Sequence, residues 1–456
     1  MLTTADTDLQ VKITNRQILN IALPISAALI IPNVNFITNN IFLGGLGERE
    51  LGNAGITGVF YLIMMVSGSG LSNAIQVLIS RRAGAGDINS IHKIFMQGIR
   101  ISLLFAFIWM LLTWFLAPLC LKPFIKPENF QQEMEFLKIR IWGLPFLYLF
   151  QSGNAFLIAT LNSRYMMIGT VSEALVNIFL DYVLIYGALS FPQLGFNGAA
   201  VASVIAEFAG MSIVYIVIFK QGLKSKFNLF KSFKYDKHSS SEILKLSAPL
   251  VLQFTISLMT WLFFFILLEP YGETAKAVSN VMRNVFGIVG VFIWAFASTA
   301  NSMVSNLIGQ GRENKVITLI NKIALLSVSL TIVLISIVNI FSAQFFSLFN
   351  SDPEFIRQGT PVLRIISLGM IGMSVATIWL NAVTGTGKTK VNLLIEIIAV
   401  AFYIIYIYFV MIQWKLSLAM AWTNEFVYWA LIFSLAFLFI KSGKWKSKSK
   451  KNPVIE

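Results

Sequence analysis

The stretch VSEALVNIFLDYVLIYG, residues 171 to 187, places two carboxylates in apolar surroundings. Twelve of its seventeen residues are aliphatic, aromatic or alanine, yet Glu173 and Asp181 stand among them. With Asn177 they recur every four residues, so on a helix all three line one stripe with about 6 Å of rise between neighbours. A charge at mid-bilayer costs about 2.5–3.5 kcal/mol on insertion scales, so such an acid is paired, protonated or in contact with water. An acid held between desolvation, which disfavours its anion, and amide donors, which favour it, can exchange a proton or hold a sodium ion. Asp181 is the strongest candidate for that role; the alternative is a hydrogen bond that merely joins neighbouring helices. Glu173, two turns along the stripe, is a candidate proton relay, a contact for a cationic substrate, or a structural partner for another helix.

These residues need a membrane around them, and the composition supplies the reason. The chain has 456 residues, 56% hydrophobic and 12% charged, with a mean hydropathy of +0.74. A soluble protein carries roughly twice that share of charge. About 20 apolar residues cross the hydrocarbon as a helix. Twelve windows qualify, near 17-44, 54-79, 95-118, 136-160, 165-187, 197-219, 243-268, 280-308, 318-346, 361-384, 391-413 and 416-440. The expected class is therefore an all-α membrane protein. The first window is long and lacks a small-residue cleavage site, so it is expected to stay as helix 1 rather than be removed. The single cysteine, Cys120, excludes an intramolecular disulfide.

The net charge of +14 would suggest nucleic acid if it were clustered on one soluble face. Instead it alternates by loop. Arg81, Arg82 and Lys93 follow helix 2, Arg164 follows helix 4, and six lysines from Lys220 to Lys237 follow helix 6. Arg312 and Lys315, Lys388 and Lys390, and the tail from Lys441 continue the pattern, while the intervening loops are poorer in cations. By the positive-inside rule both termini are expected in the cytoplasm, with the chain multi-pass in a plasma (bacterial inner) membrane. The basic segments are then topology signals, and no nucleic-acid partner is expected.

An internal repeat appears when the first half is slid over the second. Ile18, Leu19 and Pro24 fall on Ile243, Leu244 and Pro249; Gly47 and Glu48 on Gly272 and Glu273; Gly84 and Gly86 on Gly309 and Gly311, all displaced by 225. At 226, Pro127 and Glu128 match Pro353 and Glu354, Gly143 matches Gly369, and Ser163 and Arg164 match Thr389 and Lys390. At 218, Glu207 matches Glu425. Each half holds six helices, so both start from the same face and are related by a pseudo-two-fold along the membrane normal. The expected division is a six-helix lobe at 1-219, a cytoplasmic linker at 220-242, a second six-helix lobe at 243-440 and a basic tail at 441-456. Two such lobes with substrate between them, rocking about it, make a transporter.

The repeat marks LPISAALIIPNVNFITNNIFLGGLGERELGNAGI (23-56), RRAGAGD (81-87), LVNIFLDYVLIYG with GFNGAAVAS (175-203) and GTGKTK (385-390) together resemble the multidrug and toxic compound extrusion (MATE) family across all twelve helices. The resemblance implies export of lipophilic, often cationic, compounds in exchange for protons or sodium. In one branch of that family a cation site in the N-terminal lobe uses a helix 1 aspartate, an Asn and an Asp four apart in helix 5, and a helix 6 hydroxyl. Asn177 and Asp181 match the helix 5 pair, and Ser203 falls where the hydroxyl belongs. Asn39 stands where the helix 1 aspartate is expected, which weakens the site by one charge. Sodium, if it is the ion, would sit at Asp181 and Asn177. The second branch's helix 7 glutamate and helix 10 aspartate have no counterparts, Ser257 lying near the former position.

Glu207, its repeat partner Glu425, and Glu396 in helix 11 are further candidates for proton relay or substrate contact, with shared descent as the alternative reading. Arg283 either neutralises one of these acids or snorkels to the surface. His92 and His238 are read as loop residues, which leaves protonation chemistry to carboxylates. Pro24 and Pro32 lie inside helix 1, where a missing backbone donor predicts a bend; Pro32 is the expected hinge. Aromatic residues, 13% of the chain, can attract organic cations, but most are expected to face lipid or pack between helices. TGTGKTK at 384-390 looks like a phosphate loop, yet Ala382 replaces its first glycine and a helix replaces the strand before it. No nucleotide and no cofactor is expected, an ion gradient being the driving force, and the chain is expected to work as a monomer. A lipid-linked oligosaccharide flippase of the same superfamily shares the repeat but should line its cavity with cations; an embedded enzyme lacks any supporting motif.

Overall fold

The computed structural model describes residues 7–123 and 125–446; the rest of the basic tail lies outside the described residues. Among the described residues there is no strand, and twelve helices are long and apolar enough to cross a membrane. They are α1 (Asn15–Gly44), α2 (Glu48–Gly84), α3 (Ile88–Leu121), α4 (Pro127–Ala159), α5 (Met166–Tyr186), α6 (Phe196–Lys220), α7 (Lys237–Leu267), α8 (Glu273–Gly309), α9 (Val316–Ile340), α10 (Pro353–Gly385), α11 (Thr389–Ile407) and α12 (Asn424–Lys441). Each hydrophobic window falls on one of them. Side chains such as Leu104, Phe107, Leu111 and Phe115 on α3 are exposed, the face that lipid covers in a spanning helix.

Helix starts differ from the hydrophobic windows because caps, rather than apolar residues, set them. Asp87 accepts from the Ser90 backbone N–H at 3.0 Å, and Asp236 accepts from that of Ser239 at 2.7 Å. Each satisfies a donor that the first turn leaves without an intrahelical partner. As a result α3 and α7 begin before their apolar runs, and His92 and His238 lie within these helices, near their starts, rather than in loops.

The repeat is visible in the backbone. The helices α2 and α8 are each 37 residues long. Each follows a glycine at positive φ, Gly47 at 145° and Gly272 at 88°. Each closes on another glycine, Gly86 and Gly311, both at 71°. The closing bonds also correspond: Asp87 N–H to Arg82 C=O at 2.9 Å, and Arg312 N–H to Leu307 C=O at 3.0 Å. This six-residue closure requires a left-handed residue, which glycine adopts without steric cost. The second irregular element is α4, which tightens to a 3-10 turn at Ile141–Gly143 before resuming at Leu144. Pro145 has no N–H to give the Ile141 carbonyl, so the α-helical ladder cannot run through.

By contacts the described chain forms two compact units, one containing Leu19–Leu258, the other Gln10–Ile18 and the chain from Met259. The expected linker is partly docked: Leu223, Phe227 and Leu229 are buried in the first unit's core with Phe95 and Phe156, and the Gln97 side chain donates to the Lys234 carbonyl at 3.0 Å. The second unit's core gathers Phe264, Met282, Phe346, Ile366 and Trp422.

Asp236→Ala should destabilise the start of α7 by about 1 kcal/mol, read as a lower unfolding midpoint in detergent. The Ser239 backbone N–H holds the Asp236 carboxyl below its ordinary range. The capping contribution is therefore complete above the unfolded-chain value of about 3.9 and is lost as pH falls through the lower folded value. The gap between wild type and variant should close in acid.

Candidate functional site

In the first unit the stripe on α5 is real, and two chemically different sites lie at it and beside it. Towards the extracellular side of the expected topology lies Asp181, 0% exposed. Asn35 on α1 donates its amide N–H to Asn177 Oδ1 at 2.6 Å. Asn177 in turn donates to Asp181 Oδ1 at a long 3.5 Å. Asp181 Oδ2 and Asn35 Oδ1 are buried without hydrogen-bond partners. An unpaired buried oxygen carries the full cost of desolvation, so these two oxygens favour a proton or a small hard cation. No group of three or more His, Cys, Asp and Glu side chains assembles a metal centre among the described residues.

The neighbouring α6 can approach this closely because its facing side is small. Gly198, Ala199, Ala202, Ala206 and Gly210 are buried along it, and a Cβ on Gly198 would stand 2.7 Å from the Leu184 carbonyl oxygen. Small residues let membrane helices meet backbone to backbone. Among the expected site residues, the structure brings Asn177 and Asp181 together. Asn39 and Ser203 are partly buried on α1 and α6, and among the described residues no hydrogen bond joins either to the pair. The amide that arrives from α1 belongs to Asn35, one turn before Asn39.

The second site is an ion pair absent from the sequence reading. Arg140 stands at the interruption of α4 and grips Glu207 on α6 with both guanidinium arms, Nη2 to Oε1 at 2.6 Å and Nη1 to Oε2 at 2.8 Å. Its guanidinium lies over the Tyr61 ring, 3.7 Å from the centroid, and the Tyr61 hydroxyl donates to Glu207 Oε1 at 2.9 Å. The pair is nearly dry, 13% exposed on Arg140 and 5% on Glu207. Fork-to-carboxylate geometry with a third donor is the arrangement in which a buried pair can offset its desolvation. Gly143 makes it possible, since a Cβ there would occupy the place of Glu207 Oε2. Glu173 packs on Gly210, one turn beyond Glu207, and the charge of Arg140 is felt at both Glu173 and Asp181. The signal for Arg140 was available, because IRIWGLPF puts an arginine inside the window 136-160.

In the second unit, Glu425 at the start of α12 is 6% exposed and accepts from Trp429 Nε1 at 2.7 Å. Glu396 on α11 accepts from the Tyr428 hydroxyl at 2.6 Å, and Asn424 donates to the Tyr403 hydroxyl at 3.1 Å. Arg283 is exposed on α8, as snorkelling requires. Pro24 and Pro32 lie inside a continuous α1. In TGTGKTK, Gly385 ends α10 and is a packing residue, since a Cβ would meet the Asn301 carbonyl oxygen at 2.7 Å.

The MatE family model matches residues 24–183 and 249–409; the two segments start at the repeat-related Pro24 and Pro249. A probable multidrug resistance protein NorM from Thermotoga maritima is 26% identical over 442 residues, covering 95% of this chain and 94% of that protein. Another probable NorM, from Neisseria meningitidis, is 22% identical over 395 residues, covering 85% and 84%. A solved multidrug resistance MATE family transporter of the MOP superfamily, in an outward-facing conformation, matches with a TM-score of 0.87 at 17% identity across 97% of this chain and 99% of that one. At that identity the likeness shows the fold.

Arg140→Met and Glu207→Met should each cost several kcal/mol, because each leaves a buried group without its partner; the paired change to Met at both positions should recover much of the loss. Unfolding midpoints of the three variants in detergent test this, and simple additivity in the double variant would remove the pair's structural role.

Proposed function

This chain belongs to the MatE family, and on that premise we propose that it exports lipophilic organic compounds, cationic ones among them, in exchange for protons or sodium ions. The names of the relatives support multidrug export. The observation that carries the coupling is Asp181, fully buried in a spanning helix, bonded to Asn177 on α5, which in turn accepts from Asn35 on α1, and with one carboxylate oxygen unpartnered. A carboxylate so placed exchanges a monovalent cation more readily than it holds a fixed charge.

The chemistry follows from the donor set. The ion taken up at Asp181 removes a buried negative charge and gives Asp181 Oδ2 the partner it lacks. Sodium would take Asp181 and Asn177 as ligands, whereas a proton needs Asp181 alone. Because Asn35 lies on α1 three residues after Pro32, a change in charge at Asp181 acts on the helix whose backbone ladder is already broken. Pro32 is accordingly assigned as the hinge, and the orientation with both termini cytoplasmic puts Asp181 nearer the outer face. Glu207 is held by Arg140 and is assigned to structure, while Glu173 remains available to relay or to meet a cationic substrate. An acidic, aromatic interior favours a cation over the pyrophosphate of a lipid-linked sugar, which would need free basic groups.

Asp181→Asn reconstituted in liposomes at matched protein levels should abolish uphill transport of a fluorescent organic cation, with protons and sodium supplied separately as the driving gradient. Transport at the wild-type rate would take Asp181 out of the mechanism. Asn39→Asp should raise affinity for the coupling ion; unchanged affinity would place Asn39 outside the site.

A further inference from the structure

The repeat sets up a controlled comparison of two buried acids. Glu207 and Glu425 correspond in sequence, and each is packed against a corresponding glycine: a Cβ on Gly143 would strike the Glu207 carboxylate, and one on Gly369 would stand 3.2 Å from Glu425 Cβ. The backbone environment is thus shared. The counter-charges are not. Arg140 corresponds, at the same displacement as Gly143, to Ile366, which is 0% exposed in the apolar core. Tyr61 corresponds, at the displacement of its own helix, to Phe286, which has no hydroxyl to donate. The second unit has kept the acid and lost both groups that neutralise it.

The charged and titratable groups around Glu425 can be named from each packed element. On α10 the facing position is Gly369, and Arg364 is exposed. On α11 they are Glu396, which accepts from Tyr428, and Tyr403, which is near enough to Glu425 to feel its charge. On α12 itself they are Trp429 and Tyr428. Among the described residues no cation pairs with Glu425, and the indole N–H is a neutral donor that serves a carboxylic acid as well as a carboxylate. A second observation points the same way. Asn424 is 0% exposed; its amide N–H is committed to Tyr403, and its amide oxygen has no donor. The polar groups next to Glu425 along α12 are thus a neutral amide and a neutral indole, neither of which supplies a compensating positive charge.

We propose that Glu425, with Asn424 and Tyr403, is a second proton-binding site, confined to the C-terminal half and distinct from the Asp181 site. It carries its proton in the conformation described here, whereas Glu207, its repeat partner, is held by Arg140. The step is one protonation equilibrium: the Glu425 carboxylate takes a proton from water when opened to it and returns the proton to water on the reverse change. This goes beyond the exchange reading of Asp181 and does not depend on it.

Infrared pH-difference spectra of the purified wild type, Glu425→Gln, Ile366→Arg and Glu207→Gln proteins in detergent test the assignment. Glu425→Gln should remove one protonated-carboxyl C=O stretch that titrates in the wild type. Ile366→Arg should remove the same band while keeping the carboxyl, by rebuilding the ion pair of the first unit. Glu207→Gln should leave that band in place. If the titrating bands of Glu425→Gln match those of the wild type, Glu425 does not exchange a proton and the proposal fails; should that variant not fold, persistence of the band in Ile366→Arg overturns it equally. Since the spectra involve no transport, a negative result here leaves the Asp181 reading standing, and a failed transport assay leaves this one.

Discussion

A carboxylate within hydrocarbon must be paired, protonated or wetted, because the alternative is a bare charge in a medium that cannot solvate it. That constraint sorts the buried acids of this protein more sharply than their positions in the chain do. Glu207 meets it with Arg140 and Tyr61. Asp181 meets it partly, with one long amide bond and one oxygen left over. Glu425 has an indole N–H alone among the described residues. The three differ in the donors they receive and not in depth, since all are nearly or fully buried: Glu207 has a guanidinium and a hydroxyl, whereas Asp181 and Glu425 have one neutral N–H each.

The ion-paired acid among them depends on a defect in a helix. The break at Ile141–Gly143 follows from Pro145 and brings Arg140 and Gly143 opposite Glu207. A regular helix with any larger residue at position 143 would push the two helices apart and leave an ion pair with poor geometry, which in low dielectric is worse than none. The glycine is therefore as much a part of the charge network as the arginine. Its repeat partner, Gly369, keeps the same close approach although the arginine is gone. Backbone architecture has been retained between the halves while side-chain chemistry has diverged, which is also the pattern at the glycine-closed ends of α2 and α8.

Much of this was legible in the sequence, for identifiable reasons. Hydrophobic runs mark spanning helices because the bilayer sets both their length and their polarity, so all twelve windows land on helices. A four-residue spacing on one helix fixes a shared face, so Glu173, Asn177 and Asp181 do line up. Partners on a second helix are harder, because rotation and axial shift between helices are set by packing. A single turn on α1 separates Asn39, expected from the resemblance, from Asn35, which makes the contact. Helix starts were misplaced at His92 and His238 because Asp87 and Asp236 cap ahead of the apolar run. Arg140 was visible inside an apolar window, but its meaning needed Glu207, 67 residues away.

On the exchange reading, the charge balance of the first unit accommodates Asn39 in place of the expected aspartate. With Glu207 neutralised by Arg140, the acids left for an incoming cation are Asp181 and Glu173. On that reading an aspartate at position 39, one turn after Asn35 on α1, would add a second negative charge to the site and tighten the grip on a cation at Asp181. An asparagine leaves one charge, which one monovalent ion cancels, so on the exchange reading the ion is held more weakly and released more easily. Tight binding is no advantage to an exchanger, since an ion that lowers its free energy too far on one side must be pulled out again on the other. On that reading a proton, which forms a covalent O–H bond and needs no second ligand, tolerates an asparagine at position 39 better than sodium does.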